Sequence, residues 1–166
     1  MVYTVTLNPA LDYEVCVDGL RAGELNRTKR ENLHFGGKGV NVSTVLHRLG
    51  VETAALGFVA GFTGKALEDG LSAAGIRTDF VHLEEGLTRV NVKIRSGGEG
   101  EETEINSQGP SIPPAALEAL LQKLDRLGPE DALVLAGSLP AGLPRDTYRN
   151  ILARVEGQGA LTVVDA

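Results

Sequence analysis

Apolar residues along the chain follow two rhythms. "VYTVTL" (Val2 to Leu7) and "VETAALGFV" are continuous runs of strand length, the first closed by the turn pair Asn8–Pro9. "DYEVCVD" alternates instead, with Tyr13, Val15 and Val17 on one face and Glu14 and Cys16 on the other. "TRVNVKIR" behaves likewise, Val90, Val92 and Ile94 opposing Arg89, Asn91, Lys93 and Arg95. Continuous runs suit a buried parallel sheet, alternating ones a sheet with one exposed face.

Helical spacing fills the intervals. Val42, Val45, Leu46 and Leu49 stand at i, i+3, i+4 and i+7, predicting a core-facing stripe ended by Gly50. "TGKALEDGLSAAG" turns Leu67 and Leu71 inward, and "PPAALEALLQKLDRL" aligns Leu117, Leu120, Leu121 and Leu124. "PRDTYRNILARVEG" does the same with Tyr148, Ile151, Leu152 and Val155, while "DALVLAG" and "ALTVVD" read as strands. Strand–helix repeats imply an α/β fold with a parallel sheet and helices on its faces. The alternating pieces, at about 12–18, 31–35, 88–95 and 102–107, predict a second, smaller sheet, its last two strands joined by the turn "SGGEGEE". The last residue, Ala166, follows a strand of buried type, where a doubly wound sheet would continue into a covering helix. The expectation is a fold truncated at its carboxyl side.

Composition narrows the function. With 166 residues, 42% hydrophobic and 23% charged, the chain suits one globular domain. A net charge of −6 and the lack of Trp argue against a nucleic-acid partner, which needs a basic footprint and stacking surfaces. Cys16 is alone, so there is no disulfide framework. No apolar run is long enough to span a bilayer and "MVYTVTLNPALD" lacks signal-peptide regions, so no membrane partner and a cytoplasmic setting are expected. His34, His47 and His82 are widely spaced without paired ligands, which predicts no metal site and structural or surface roles.

The segment "HFGGKGVNVSTVLHRLG" carries the first candidate chemistry. Gly36, Gly37 and Gly39 allow close approach of a ligand to the backbone, the helix start offers free N–H groups, and Lys38 adds a charge. The segment reads either as an anion site or as a tight turn before a core helix. Neither common nucleotide fingerprint survives: Ala66 follows Gly64–Lys65 with Val59 at the first Walker glycine, and Val42 replaces the last dinucleotide glycine. Asp12, just past the first strand, is either an acceptor for sugar hydroxyls or an Asx turn. Arg89 is either a phosphate fork or a solvated surface residue. Ser138, in "AGSLPAGLP", either donates to an anion or belongs to a plain connection.

In combination these stretches are more specific. "TLNPALD", "FGGKGVNVSTVLHRLG", "TRVNVKI", "TEIN…GP" and "GSLPAG" occur in the order that resembles ribokinase-like sugar kinases of the phosphofructokinase-B type. The similarity is greatest to the subgroup of 1-phosphofructokinases and tagatose-6-phosphate kinases, and covers only the amino-terminal half of such an enzyme. It implies a three-layer, Rossmann-like domain with a small β-sheet lid, and a homodimer through that lid. It implies phosphorylation of fructose 1-phosphate to fructose 1,6-bisphosphate, or of tagatose 6-phosphate, with ATP and Mg²⁺. By resemblance, Asp12, Gly36, Gly37 and Asn41 hold the sugar, while Arg89 and Ser138, assisted by Lys38, contact its existing phosphate. The family's catalytic base lies in a Gly-Ala-Gly-Asp segment that this sequence does not contain. No catalytic residue is therefore expected here, ATP and Mg²⁺ need the other half, and this chain alone is expected to be inactive. A non-catalytic sugar-phosphate-binding module is the alternative of another class.

Overall fold

A computed structural model describes residues 1–97 and 101–165; the central part of the "SGGEGEE" turn lies outside the described residues. The continuous apolar runs pair as a parallel sheet. Its strands run in the order β10 (Leu161–Asp165), β9 (Ala132–Ala136), β1 (Val2–Thr6), β4 (Thr53–Ala60) and β5 (Arg77–Thr78), and β6 (Val81–Leu83) also pairs with β4. β5 and β6 have two and three residues, too few for a sequence period to show.

Helices cover both faces. Leu56 and Phe58 of β4 pack with Leu120 and Leu124 of α3 (Pro114–Leu124) and with Ile151 and Val155 of α4 (Thr147–Val155). On the opposite face, Ala55 and Val59 meet Val40 of α1 (Lys38–Arg48) and Leu67 and Leu71 of α2 (Gly61–Ala73). Every residue of β4 is buried, as a strand covered on both sides requires. The result is a helix–sheet–helix sandwich of three layers.

One expectation needs correction. The apolar stripe of α1 does not face the core: Val45 is 55% and Leu49 73% exposed, and the buried residues are Gly39, Val40 and Ser43. Small and polar side chains seat this helix. Ser43 Oγ lies 2.7 Å from Thr4 Oγ1 and 2.8 Å from Thr53 Oγ1, and the Val40 N–H donates to Thr6 Oγ1 at 3.0 Å. Bulkier residues on that face would hold α1 away from the strand ends. Ser43→Ala leaves two buried hydroxyls short of a partner, so a loss of about 1–3 kcal/mol is expected in urea unfolding. β10, a strand of buried composition, pairs only with β9, and all five of its residues are exposed, Leu161, Val163 and Val164 among them.

The alternating segments build the second sheet, ordered β3 (Arg30–Gly36), β2 (Ala10–Val17), β7 (Arg89–Ser96) and β8 (Glu101–Ile105). The outer pairs are antiparallel and the central β2–β7 pair parallel. Register sorts the residues into rows across the strands. Leu33, Tyr13, Val92 and Ile105 form an apolar row, His34, Asp12 and Asn91 a polar one, and Asn32, Glu14, Lys93 and Glu104 the next polar one. Strand alternation puts the polar rows on one face and the apolar row on the other.

Candidate functional site

The polar face of the small sheet closes one side of a cleft of about 680 Å³. Asp12, Glu14, His34, Arg89, Asn91 and Lys93 line it from the sheet, and Asn41, Thr44 and Arg48 from α1. Asn41, Thr44 and Arg48 stand at i, i+3 and i+7, so one polar stripe of the helix faces one polar face of the sheet. Beside it, the ends of β1 and β9 and the start of α1 enclose a smaller cavity of about 310 Å³, lined by Thr6, Asn8, Gly37, Lys38, Arg89, Gly137 and Ser138. Arg89 belongs to both.

Local sequence explains how the backbone reaches this arrangement. Gly37, between β3 and α1, has φ 119°, a region open to glycine and strained for other residues. A Cβ on Gly36 would lie 2.0 Å from Asp12 Oδ2, so only a glycine there lets the carboxylate lie against the chain. Asp12 is fixed on its other oxygen by Asn91, whose Nδ2 donates to Oδ1 at 2.8 Å. α1 begins with no side-chain cap and no acidic residue in its first turn, which leaves the positive end of its dipole facing the smaller cavity.

The charges around the cleft are not equally available. Lys93 is held between Glu102 at 2.9 Å and Glu104 at 3.0 Å, and these carboxylates push its pKa up to about 12. Lys38 reaches Asp165 Oδ1 at 3.4 Å, an exposed pair that costs little to open. Arg89 has no carboxylate within ion-pair distance among the described residues; its Nε donates to Asn8 O at 3.1 Å. Burial pulls its pKa below the ordinary value, opposed by the charge of Asp12. An arginine keeps its proton regardless. Arg89 is thus a partly desolvated cation whose two terminal nitrogens make no hydrogen bond among the described residues.

All seven residues singled out in the sequence lie here. Asp12, Asn41 and Arg89 line the larger cleft, Gly37, Lys38, Arg89 and Ser138 the smaller cavity, and Gly36 backs Asp12. Three further residues support the site. In the sequence Asn91 is one polar residue of an alternating strand, Asn8 is half of a turn signal, and Tyr148 is an inward-facing position of α4. Its hydroxyl donates to Gly137 O at 2.7 Å beneath the Ser138 loop, and burial, then the Asp165 charge, pushes its pKa up to about 12. A buried tyrosine in an otherwise aliphatic stripe was the available signal, since such a hydroxyl needs a partner.

Comparison with known proteins places this architecture. The chain matches the model of the pfkB family carbohydrate kinases over residues 6–166. It belongs to that family. Among relatives of this pfkB chain, the 1-phosphofructokinase of Bacillus subtilis is 45% identical over 165 residues, 99% of this chain and 53% of the relative. The D-tagatose-1-phosphate kinase of Bacillus licheniformis is 40% identical, covering 99% and 52%. A solved Staphylococcus aureus structure with a provisional phosphofructokinase name superposes with a TM-score of 0.91 at 43% identity, covering 100% of this chain and 53% of that one. The pfkB chain thus spans about half the length of the relatives it matches. The ribokinase-like fold, with its separate small sheet, is shared with these structures.

Among the described residues no group of three or more His, Cys, Asp or Glu side chains is placed to hold a metal ion. No helix among the described residues is long and apolar enough to cross a membrane.

Proposed function

We propose that the chain is the substrate-holding half of an ATP-dependent sugar-phosphate kinase and takes fructose 1-phosphate for conversion to fructose 1,6-bisphosphate. One observation carries the reading. Arg89, a partly desolvated cation with a free fork, lines both a small cavity holding Lys38, Ser138 and a helix N-terminus and a hydroxyl-accepting cleft holding Asp12, Asn91 and Asn41. A ligand with an anionic end and several hydroxyls matches that division: the phosphate on Arg89 and the α1 backbone, the hydroxyls on Asp12 and Asn41. The names of the relatives above, kinases of ketohexose 1-phosphates, favour a phosphate on carbon 1. Tagatose 6-phosphate is the competing substrate, and competition between the two sugar phosphates in a binding titration separates them.

ATP and Mg²⁺ belong to the reaction but require residues outside this chain. With MgATP and fructose 1-phosphate, the chain alone is expected to release no ADP above a protein-free control in a coupled assay. Sustained turnover would overturn this part of the reading.

Lid pairing is part of the proposal. Leu33 is 52% and Ile105 58% exposed in the apolar row of the small sheet, a surface that a second copy would cover. Ile105→Glu is expected to shift the chain from dimer to monomer in sedimentation velocity, with unchanged unfolding of the monomer. A sedimentation coefficient unaffected by the substitution would remove the lid as the interface.

A further inference from the structure

We infer that Asn8 is a positioning residue for Arg89, holding the guanidinium so that its fork meets the phosphate; this rests on the sugar-phosphate reading above. Asn8 lies in the turn after β1 and is 6% exposed. Its backbone oxygen accepts the Arg89 Nε proton at 3.1 Å, the one hydrogen bond of that side chain among the described residues. Its Nδ2 donates to Gln108 O at 3.0 Å, across 100 residues of chain. Its Oδ1 is buried without a donor and lies against Gly109, where a Cβ would be 2.3 Å away. Ser107 Oγ in turn donates to Val90 O at 2.7 Å. The segment following β8 is therefore stitched both to Asn8 and to the residue after Arg89.

These contacts fix the acceptor that fixes Arg89. A free arginine side chain loses rotamer freedom when a ligand orders it, and that loss weakens binding. Anchoring Nε beforehand spends most of that ordering during folding and leaves the two terminal nitrogens free for an anion. Asn8 also lines the small cavity, but its amide nitrogen is taken by Gln108 O, its Oδ1 lies against Gly109 and it carries no charge. We therefore assign its effect on a bound phosphate to Arg89, and a direct contact would show as a pair weaker than Arg89→Ala alone. Removing the side chain keeps the carbonyl but cuts its tether to Gln108, and leaves Gln108 O without that donor.

A double-substitution cycle tests the assignment. Fructose 1-phosphate affinity is measured by calorimetry for the unaltered chain, Asn8→Ala, Arg89→Ala and the pair, each with a thermal melt. Asn8→Ala is expected to weaken binding about tenfold and Arg89→Ala about 100-fold, with the pair no weaker than Arg89→Ala alone. A residue acting only through general stability would multiply instead, toward about 1,000-fold, and that would overturn the inference. Hydrogen exchange is expected to quicken across residues 107–109 in Asn8→Ala while α2 is unchanged; unchanged exchange at 107–109 also overturns it. If Asn8→Ala does not fold, Asn8→Ser is read by the same criteria. Failure of the unaltered chain to bind would remove the sugar-phosphate reading and this role together. Binding by the unaltered chain and by Asn8→Ala with equal affinity removes this role alone.

Discussion

Replacing Arg89 with alanine is expected to weaken fructose 1-phosphate binding by about 100-fold, the largest single effect in the site. The guanidinium is half-buried, its Nε is taken by Asn8 O, and both terminal nitrogens remain for the ligand. Hydrogen bonds to a charged group contribute about 1.5–3 kcal/mol each, so losing a two-pronged contact accounts for at least about two powers of ten, and the lower end applies at a half-exposed site. Lysine at this position keeps the charge but loses both the Nε anchor and the fork. Arg89→Lys is expected to recover only part of the loss, about tenfold. Calorimetric titration measures both, and a phosphate held equally well by Arg89→Ala would move the anion site elsewhere. Lys38 is the less costly loss, because its charge is already shared with Asp165 on an exposed surface.

Gly36→Ala is the second large effect. The new methyl would sit 2.0 Å from Asp12 Oδ2 and 2.7 Å from its Cγ, well inside contact distance. The carboxylate must swing away, and the 2.8 Å hydrogen bond from Asn91 goes with it. Overpacking of this kind costs about 1–3 kcal/mol, and the displaced carboxylate no longer offers its oxygens to sugar hydroxyls. A loss of about tenfold or more in affinity is expected, with a lowered melting temperature. Gly19→Ala is the control, since a Cβ there meets nothing within 4 Å; it is expected to alter neither quantity. Near-native affinity in Gly36→Ala would mean that Asp12 does not touch the sugar.

The parts of the fold that were legible in sequence are those where one period dominates. Leu120 and Leu124 in α3, and Ile151 and Val155 in α4, are buried where their spacing places them, because these helices pack on a flat apolar sheet. α1 was misread because its packing depends on Gly39, Val40 and Ser43, whose small size lets polar oxygens of β1 and β4 reach the helix. Hydrophobicity alone cannot report such a contact. β10 has core composition in Leu161, Val163 and Val164 and stands at the edge of the sheet among the described residues. At the site, the residue types were visible and their mutual placement was not. Asp12 and Asn91 meet because β2 pairs in parallel with β7, a register set by tertiary packing across 79 residues of chain. Asn8 and Gln108 are separated by more still.

The central claim is that these residues form a sugar-phosphate site that holds its ligand without nucleotide. Titration of the folded chain with fructose 1-phosphate, in the absence of ATP and Mg²⁺, addresses it directly. Saturable binding at one site per chain is expected, with fructose lacking the phosphate bound at least about 100-fold more weakly. Folded chain that takes up neither fructose 1-phosphate nor tagatose 6-phosphate would contradict it.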